Sequence, residues 1–419
     1  MLRVGTDCSG IEAPLFALQK LKVRYSHEFS CEIDRHATAT LLANHKPKKF
    51  YKDITARSIK STPSVDLYVC GFPCQPFSTA GGKKGFQDPR GTIFDYCCRY
   101  IKHHRPKVYV LENVPGLLTH DQGRTMETIE RCLNKIRGYV ITKLVLNALD
   151  YGLPQRRRRL FIVGRRADIV RRPLATPAPV PLRFRITTLP AQTAEPPITR
   201  KTHPHLFRLS PCETDPRKFA ALRRKYKLTH LEKHPVVARL YSLSFLASGL
   251  NVSPTLTAID SQYYVTSLKR KFSPREALAL QGFPPRMKIV VSDRQVFKQA
   301  GNSIAIDVLV HLFREIFAST SLRSKKTKAT DGKSSSRRSS RRPAEPRPKR
   351  ALKPRRLAER PIEPRPKRPS KRSTAPRPPQ PRLVATPSRR RRSPSKRRRR
   401  PPSGGGRPPS GGGPPSGGE

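Results

Sequence analysis

Apolar and polar positions alternate along residues 2–165 in two different rhythms. Short apolar, β-branched runs predict strands at Leu2–Thr6, Tyr25–Glu32, Val65–Phe72, Lys107–Val114, Tyr139–Asn147 and Leu160–Gly164. Between them lie amphipathic stretches. In 92–101, Ile93, Phe94, Cys97, Tyr100 and Ile101 recur at helical spacing. Strands alternating with helices predict an α/β fold, a parallel sheet with helices on both faces.

The rhythm dissolves from Arg166 to about Gly249, where proline is dense (Pro173, Pro177, Pro179, Pro181, Pro190, Pro196, Pro197 and Pro204). A smaller loop-rich region is expected over 166–250. Helical patterning returns over 251–318. Ser273 and Pro274 sit as N-cap and first helical residue of a helix over Ser273–Gly282. In 303–317 the residues Ile304, Val308, Leu309, Leu312, Phe313, Ile316 and Phe317 form one apolar stripe. From 319 to 419 the chain is Lys, Arg, Pro, Ser and Gly, with Glu345–Arg350 repeated as Glu363–Arg368. Such a segment cannot bury enough apolar surface to offset its ordering entropy, and disorder is expected.

Charge changes this picture by adding a partner. The 419 residues carry a formal net charge of +57. Residues 321–419 hold 33 Lys and Arg against 5 Asp and Glu, so the tail supplies about half of the excess in under a quarter of the length. A polyanion, and nucleic acid before an acidic membrane surface, is the expected partner. No apolar run approaches the roughly 20 residues of a membrane span. Met1–Gly5 runs directly into a strand, which predicts no signal peptide. The eight cysteines form no Cys-x-x-Cys pair and lie mostly in apolar runs. Free thiols in a reducing compartment, and no metal site, are expected.

Four segments carry candidate chemistry. Gly5–Pro14 reads as strand, small-residue turn and helix, the layout of a nucleoside-cofactor site. Glu32 and Asp53 follow near the ends of later units, where a carboxylate can accept ribose hydroxyls or an adenine amine. In Gly71-Phe72-Pro73-Cys74-Gln75-Pro76-Phe77-Ser78, a cysteine between two prolines stands on a stiff loop just past a strand end. Glu112-Asn113-Val114 ends another strand, and in a parallel sheet Cys74 and Glu112 would face one rim. Beside Val110, Leu111 and Val114, Glu112 is a candidate general acid with a raised pKa. In Gln155-Arg156-Arg157-Arg158-Arg159, strand alternation puts Gln155, Arg157 and Arg159 on one face and Arg156 and Arg158 on the other.

In this order, these segments resemble the DNA (cytosine-5) methyltransferase family over roughly residues 3–318. Phe72–Ser78 with Asp88-Pro89-Arg90-Gly91 matches its nucleophile loop, Glu112-Asn113-Val114 its acid motif, and Gln155-x-Arg157-x-Arg159 its base-contacting motif. Arg275-Glu276-Ala277, Leu280–Pro284 and Gln299–Ser303 resemble the segments that close the family's catalytic domain. The first motif departs from the family's Phe and several glycines: here it reads Cys8, Ser9, Gly10, Ile11, Glu12 and Ala13.

The resemblance implies a Rossmann-like, S-adenosylmethionine-dependent methyltransferase sheet and methylation of a flipped cytosine at C5. It implies Cys74 as nucleophile, Glu112 as acid at N3, Arg157 on the base carbonyl and Arg159 ordering the Cys74 loop. Pro73, Gln75, Ser78, Asn113 and Gln155 would support base and loop. Asp7, Ser9, Gly10, Ile11, Glu32, Ile33, Asp53, Ile54, Gly71, Asn302 and Ser303 would hold the cofactor. It further implies 1–165 as catalytic and cofactor domain, 166–250 as target-recognition region, and 251–318 as the return to the catalytic domain. Double-stranded DNA is the implied partner of a monomer, contacted by the core and by the tail of residues 319–419. Two other readings stand beside it: a tRNA cytosine-5 methyltransferase on the same fold, and a catalytically weak DNA-binding or packaging protein. Arg389–Arg392 and Lys396–Arg400 resemble a nuclear localisation signal. A nucleus is therefore expected, a host nucleus if the enzyme is viral, with the cytoplasm as the alternative.

Overall fold

The computed structural model describes residues 1–73, 93–189, 197–210, 213–240, 247–258 and 263–322. Its main sheet has seven strands: β1 (Leu2–Asp7), β2 (Tyr25–Cys31), β3 (Lys49–Tyr51), β4 (Leu67–Cys70), β5 (Val108–Asn113), β6 (Tyr139–Asn147) and β7 (Arg158–Arg166). Their order is β3-β2-β1-β4-β5-β7-β6. All run parallel except β7, which pairs antiparallel with both neighbours. Strands β4 and β5 are buried at every position, as their uninterrupted apolar runs require of central strands covered on both faces. The expectation of a parallel sheet therefore holds with one inverted strand. The three-residue edge strand β3, Lys49-Phe50-Tyr51, is too short and too polar to have shown a period.

Helices α1 (Ala13–Lys20), α2 (Arg35–Asn44), α3 (Ile93–His104) and α4 (Arg124–Asn134) connect the strands. Asp34 caps α2 by accepting the N–H groups of His36 and Ala37, both at 2.9 Å. The helices α5 (Pro204–Phe207) and α6 (Pro216–Tyr226) precede a second sheet of β8 (Val236–Arg239), β9 (Ala247–Leu250), β10 (Tyr263–Val265) and β11 (Arg270–Lys271), ordered β11-β10-β8-β9 and antiparallel throughout. A separate small core, Leu222, Leu231, Val236, Ala238 and Leu240, holds α6 on this sheet. The chain then returns through α7 (Pro274–Leu280), α8 (Asp293–Asn302) and α9 (Ile306–Ala318). Ser273 and Glu276 form a capping box on α7. The stripe on α9 packs against α1.

Within the proline-dense segment, Leu174, Ile186 and Leu189 are buried in the main core, which also takes in Val237, Tyr263 and Val265 of the second sheet. The small sheet in turn runs on to Lys271, past residue 250. Isolated apolar residues between prolines have no period, which hides their burial from the sequence. The folded core also continues past 318. Thr320 bridges Val170, Arg171 donates to the Ser319 carbonyl at 2.9 Å, and Leu322 is buried. The tail from 323 onward, where disorder was expected, lies outside the described residues. No helix among the described residues is long and apolar enough to cross a membrane.

Candidate active site

At the C-terminal rim of the parallel strands lies a cavity of about 390 Å³. Its lining draws on the turn after β1, the ends of β2, β4 and β5, and the Arg157–Arg159 and Gln299–Asn302 segments that the sequence pointed to. Gly10 and Ile11 come from the turn after β1, and Glu32 and Ile33 from the end of β2. Asp53 and Ile54 follow β3, Gly71 and Pro73 follow β4, and Glu112 ends β5. Arg157 enters from just before β7, Arg159 from β7 and Asn302 from α8. Cys74, Gln75 and Ser78 lie outside the described residues; Pro73, which precedes Cys74, stands in the cavity wall.

The turn after β1 shows how the altered first motif still makes this site. Cys8, Gly10 and Glu12 all take left-handed backbone angles, with φ of 48°, 55° and 64°. Glycine adopts these freely, whereas other residues there typically cost about 1–3 kcal/mol and need support. Glu12 has that support. It is fully buried and accepts hydrogen bonds from Thr6 Oγ1 and Ser30 Oγ, both at 2.6 Å, with His27 Nε2 at 3.5 Å. Burial opposes its ionisation, but His27, Ser30 and Thr6 together hold its carboxyl below the usual carboxylate range. A buried, hydrogen-bonded glutamate thus fixes the path that glycines leave free.

Three expected cofactor residues turn their side chains elsewhere. Asp7, Ser9 and Ser303 line only a small adjoining recess of about 40 Å³. The Asp7 carboxylate is taken up by a bidentate pair with Arg57 at 2.5 and 2.7 Å and by the Tyr68 hydroxyl at 2.6 Å. Ser9 Oγ binds Thr6 and the backbone of Cys31, and Ser303 Oγ the Ile304 carbonyl. These side chains shape the turn and the closing loop from behind.

Arg57 was not legible in the sequence. It lies four residues beyond Asp53 in a polar stretch without period, yet its guanidinium is enclosed by the rings of Phe29, Tyr51 and Tyr100 at 5.0–5.4 Å. Its substitution Arg57→Met leaves the buried Asp7 without its cation, and a loss of about 3–5 kcal/mol in unfolding free energy is expected. Urea unfolding measures it. The double variant Asp7→Asn/Arg57→Met, with no charge left behind, is expected to recover much of the loss.

Along residues 155–159 burial alternates as foreseen: Gln155 and Arg157 are buried, Arg156 and Arg158 exposed. Arg157 donates to three backbone carbonyls, Leu256 at 2.9 Å, Gly301 at 2.9 Å and Ser303 at 2.6 Å. Gln155 accepts from Leu256 N–H at 3.1 Å and donates to the Leu280 carbonyl at 2.9 Å. Both residues therefore staple the returning chain to β7. These carbonyls hold the Arg157 guanidinium in the cavity wall. Arg159 is the arginine at the acid: its Nε lies 3.2 Å from Glu112 Oε1.

Glu112 is 8 % exposed. Burial raises its pKa above the usual carboxylate value, against the lowering pull of Arg159 and Arg157. Gly71 fits close beside it, since a Cβ there would stand 3.4 Å from Glu112 Oε2. Asn113 reaches back and donates to the Phe72 carbonyl at 3.3 Å, which ties the acid's strand to the segment leading to Cys74.

The C-5 cytosine-specific DNA methylase model matches residues 7–318. The chain belongs to this family.

Among the methylase's curated relatives, the type II methyltransferase M1.ScrFI of Lactococcus lactis subsp. cremoris is 35% identical over 308 residues, covering 71% of this chain and 73% of that protein. The type II methyltransferase M.HhaI of Haemophilus parahaemolyticus is 32% identical over 294 residues, covering 70% and 87%. In solved structures, Spodoptera frugiperda DNMT2 matches 76% of this chain and 100% of its own, with a TM-score of 0.55 and 17% identity. Entamoeba histolytica methyltransferase EhMeth matches 76% and 98%, with a TM-score of 0.54 and 17% identity. These two show that the methylase shares their fold.

The donor set of the cavity fits a nucleoside with a charged tail. Glu32 offers a carboxylate whose oxygens already accept Gly10 N–H at 2.7 Å and Asp34 N–H at 2.9 Å. Ile11 and Ile54 are buried in the walls, while Ile33 is 77 % exposed at the edge, an apolar face that a bound ring would cover.

Proposed function

We propose that this methylase transfers a methyl group from S-adenosylmethionine to C5 of a cytosine flipped out of duplex DNA, through a covalent bond to Cys74. The observation that carries the reading is the pairing of Glu112 with Arg159 in a cavity whose wall includes Pro73, the residue before Cys74. Glu32, Ile33, Asp53 and Ile54 would hold the nucleoside part of the cofactor, and Gly10 lets the backbone approach it. When bound, the cofactor supplies an electrophilic methyl group.

Cytosine C5 is a weak nucleophile until the ring is activated. Attack of the Cys74 thiolate on C6 forms the S–C6 bond and pushes electron density toward C5. Glu112, whose pKa burial raises, donates a proton at N3 so that no full negative charge builds on the ring. Arg159 holds the Glu112 carboxyl and, from the cavity wall, would be within the reach of the flipped base. After methylation, loss of the C5 proton returns its electron pair to the ring and expels Cys74. Flipping costs a few kcal/mol of stacking and pairing, which phosphate and groove contacts must offset.

The deciding experiment gives the full chain labelled S-adenosylmethionine with duplex DNA or with tRNA, followed by bisulfite sequencing of the DNA. Transfer to DNA at C5 supports the reading; transfer to tRNA alone overturns it. The basic tail is assigned to phosphate tethering. Truncation belongs after Leu322, because Ser319, Thr320 and Leu322 pack into the core. It is expected to flatten the salt dependence of DNA binding, by about 0.9 in log–log slope for each phosphate no longer neutralised, with kcat retained.

A further inference from the structure

Charges on the cavity rim are mixed: Glu32, Asp34, Asp53 and Glu112 stand with Lys52, Arg157, Arg159 and Lys298. The opposite rim, where the parallel strands begin, is cationic, and backbone hydrogen bonds join it into one row. Leu2 donates to the Arg24 carbonyl at 3.2 Å, Asp66 to Arg3 at 2.9 Å, Val108 to Asp66 at 2.9 Å, and Arg166 to Lys107 at 2.9 Å. Beyond β2 the row continues through Lys49, whose Nζ donates to the Ser61 carbonyl at 3.2 Å beside Lys60. At the other end Arg105 donates to the Arg137 carbonyl at 2.9 Å.

The carboxylates along this row are already matched. Glu28 pairs with Lys48, Asp66 with Arg3 and Lys107, and Asp168 with Arg166. Among the described residues, Lys22, Arg24, Lys49, Lys60, Arg105 and Arg137 are exposed and pair with no carboxylate. Helix C-termini favour cations, which accounts for Lys22 after α1 and Arg105 after α3. It does not account for Arg24, Lys49 or Lys60.

Seven strands at about 4.8 Å spacing make a rim about 29 Å long, which matches about eight base pairs of duplex at about 3.4 Å each. We propose that this rim is a second duplex-DNA face, which holds one DNA segment by its phosphates while another occupies the cavity side. The proposal rests on the cavity rim being the catalytic face. It gives the methylase two DNA sites on opposite ends of one sheet, and so a means of bridging two segments.

The test uses the full chain and the variant Arg24→Gln/Lys49→Gln/Lys60→Gln/Arg105→Gln/Arg137→Gln, none of which lines the cavity and all of which are exposed. Binding to a duplex of A·T pairs alone is measured against salt. Bridging is read as energy transfer between donor-labelled and acceptor-labelled duplexes. The expected result is a log–log salt slope shallower by about 3–4.5, loss of bridging, and an unchanged kcat on a short cytosine-containing duplex. Since the variant keeps the tail, lost bridging cannot be assigned to the tail. Unchanged slope and bridging would overturn the proposal, and so would a rim-dependent preference for single-stranded RNA over duplex. Absence of methyl transfer by the unaltered protein would instead overturn the catalytic reading, whatever the bridging result.

Discussion

Replacing Cys74 with alanine is expected to abolish methyl transfer, by at least about 10⁴-fold, while DNA binding persists. The magnitude follows from what the thiol does. Without the S–C6 bond, C5 stays a poor nucleophile, and positioning alone cannot raise its reactivity. At neutral pH only a few per cent of an ordinary thiol is thiolate, so the residue must act on a base that Glu112 has already polarised. A second measurement separates a lost nucleophile from a damaged loop. On duplex DNA carrying 5-fluorocytosine, the unaltered methylase is expected to form a stable covalent adduct, since a C5 fluorine cannot leave as a proton does. Cys74→Ala should form none. Normal turnover by the variant, or an adduct with it, would remove Cys74 from the mechanism.

The strand ends were legible because an apolar run that stops at Glu or at Gly-Phe-Pro fits little besides the rim of a parallel sheet. Glu32, Gly71 and Glu112 meet in one cavity for that reason. Roles within the base-contacting motif were not legible. Period-two alternation puts Arg157 and Arg159 on one face, but it cannot say which of them meets carbonyls from Leu256, Gly301 and Ser303, contacts that are 99 to 146 residues away in the chain. Asp7 was misplaced for a related reason. A carboxylate at the end of β1 is a natural cofactor ligand until Arg57, from a loop without period, takes both of its oxygens. Partners brought in by tertiary packing leave no local signature.

The first motif shows the same limit with a different outcome. Judged by composition, Glu12 and Cys8 look like losses of flexibility beside the family's glycines. Packing reverses that reading, because Thr6, Ser30 and His27 converge on Glu12 beneath the turn. Gly10 remains at φ 55°, where a cavity wall needs backbone rather than side chain. The strand–turn–helix geometry is therefore kept by buried hydrogen bonds.

Glu112→Gln is expected to lower kcat by about 10²–10⁴-fold, the range of a positioned general acid, and to change the pH profile as well. The sign follows from the site. Glu112 must hold a proton to donate at N3, and burial raises its pKa despite Arg159 and Arg157. Its active form is complete below that raised value and is lost as pH rises through it. The Cys74 thiolate works in the opposite sense and grows with pH. The unaltered methylase should thus show a bell, with Glu112 setting the descending limb. Glutamine preserves the shape and can still accept from Arg159, but it carries no titrating proton. Its residual activity should rise with pH and keep no descending limb of that origin. A descending limb that stays in place in Glu112→Gln would assign the acid to another group, even if the rate falls. A variant with unchanged kcat would remove Glu112 from proton transfer altogether and leave the Arg159 pair as a purely structural contact.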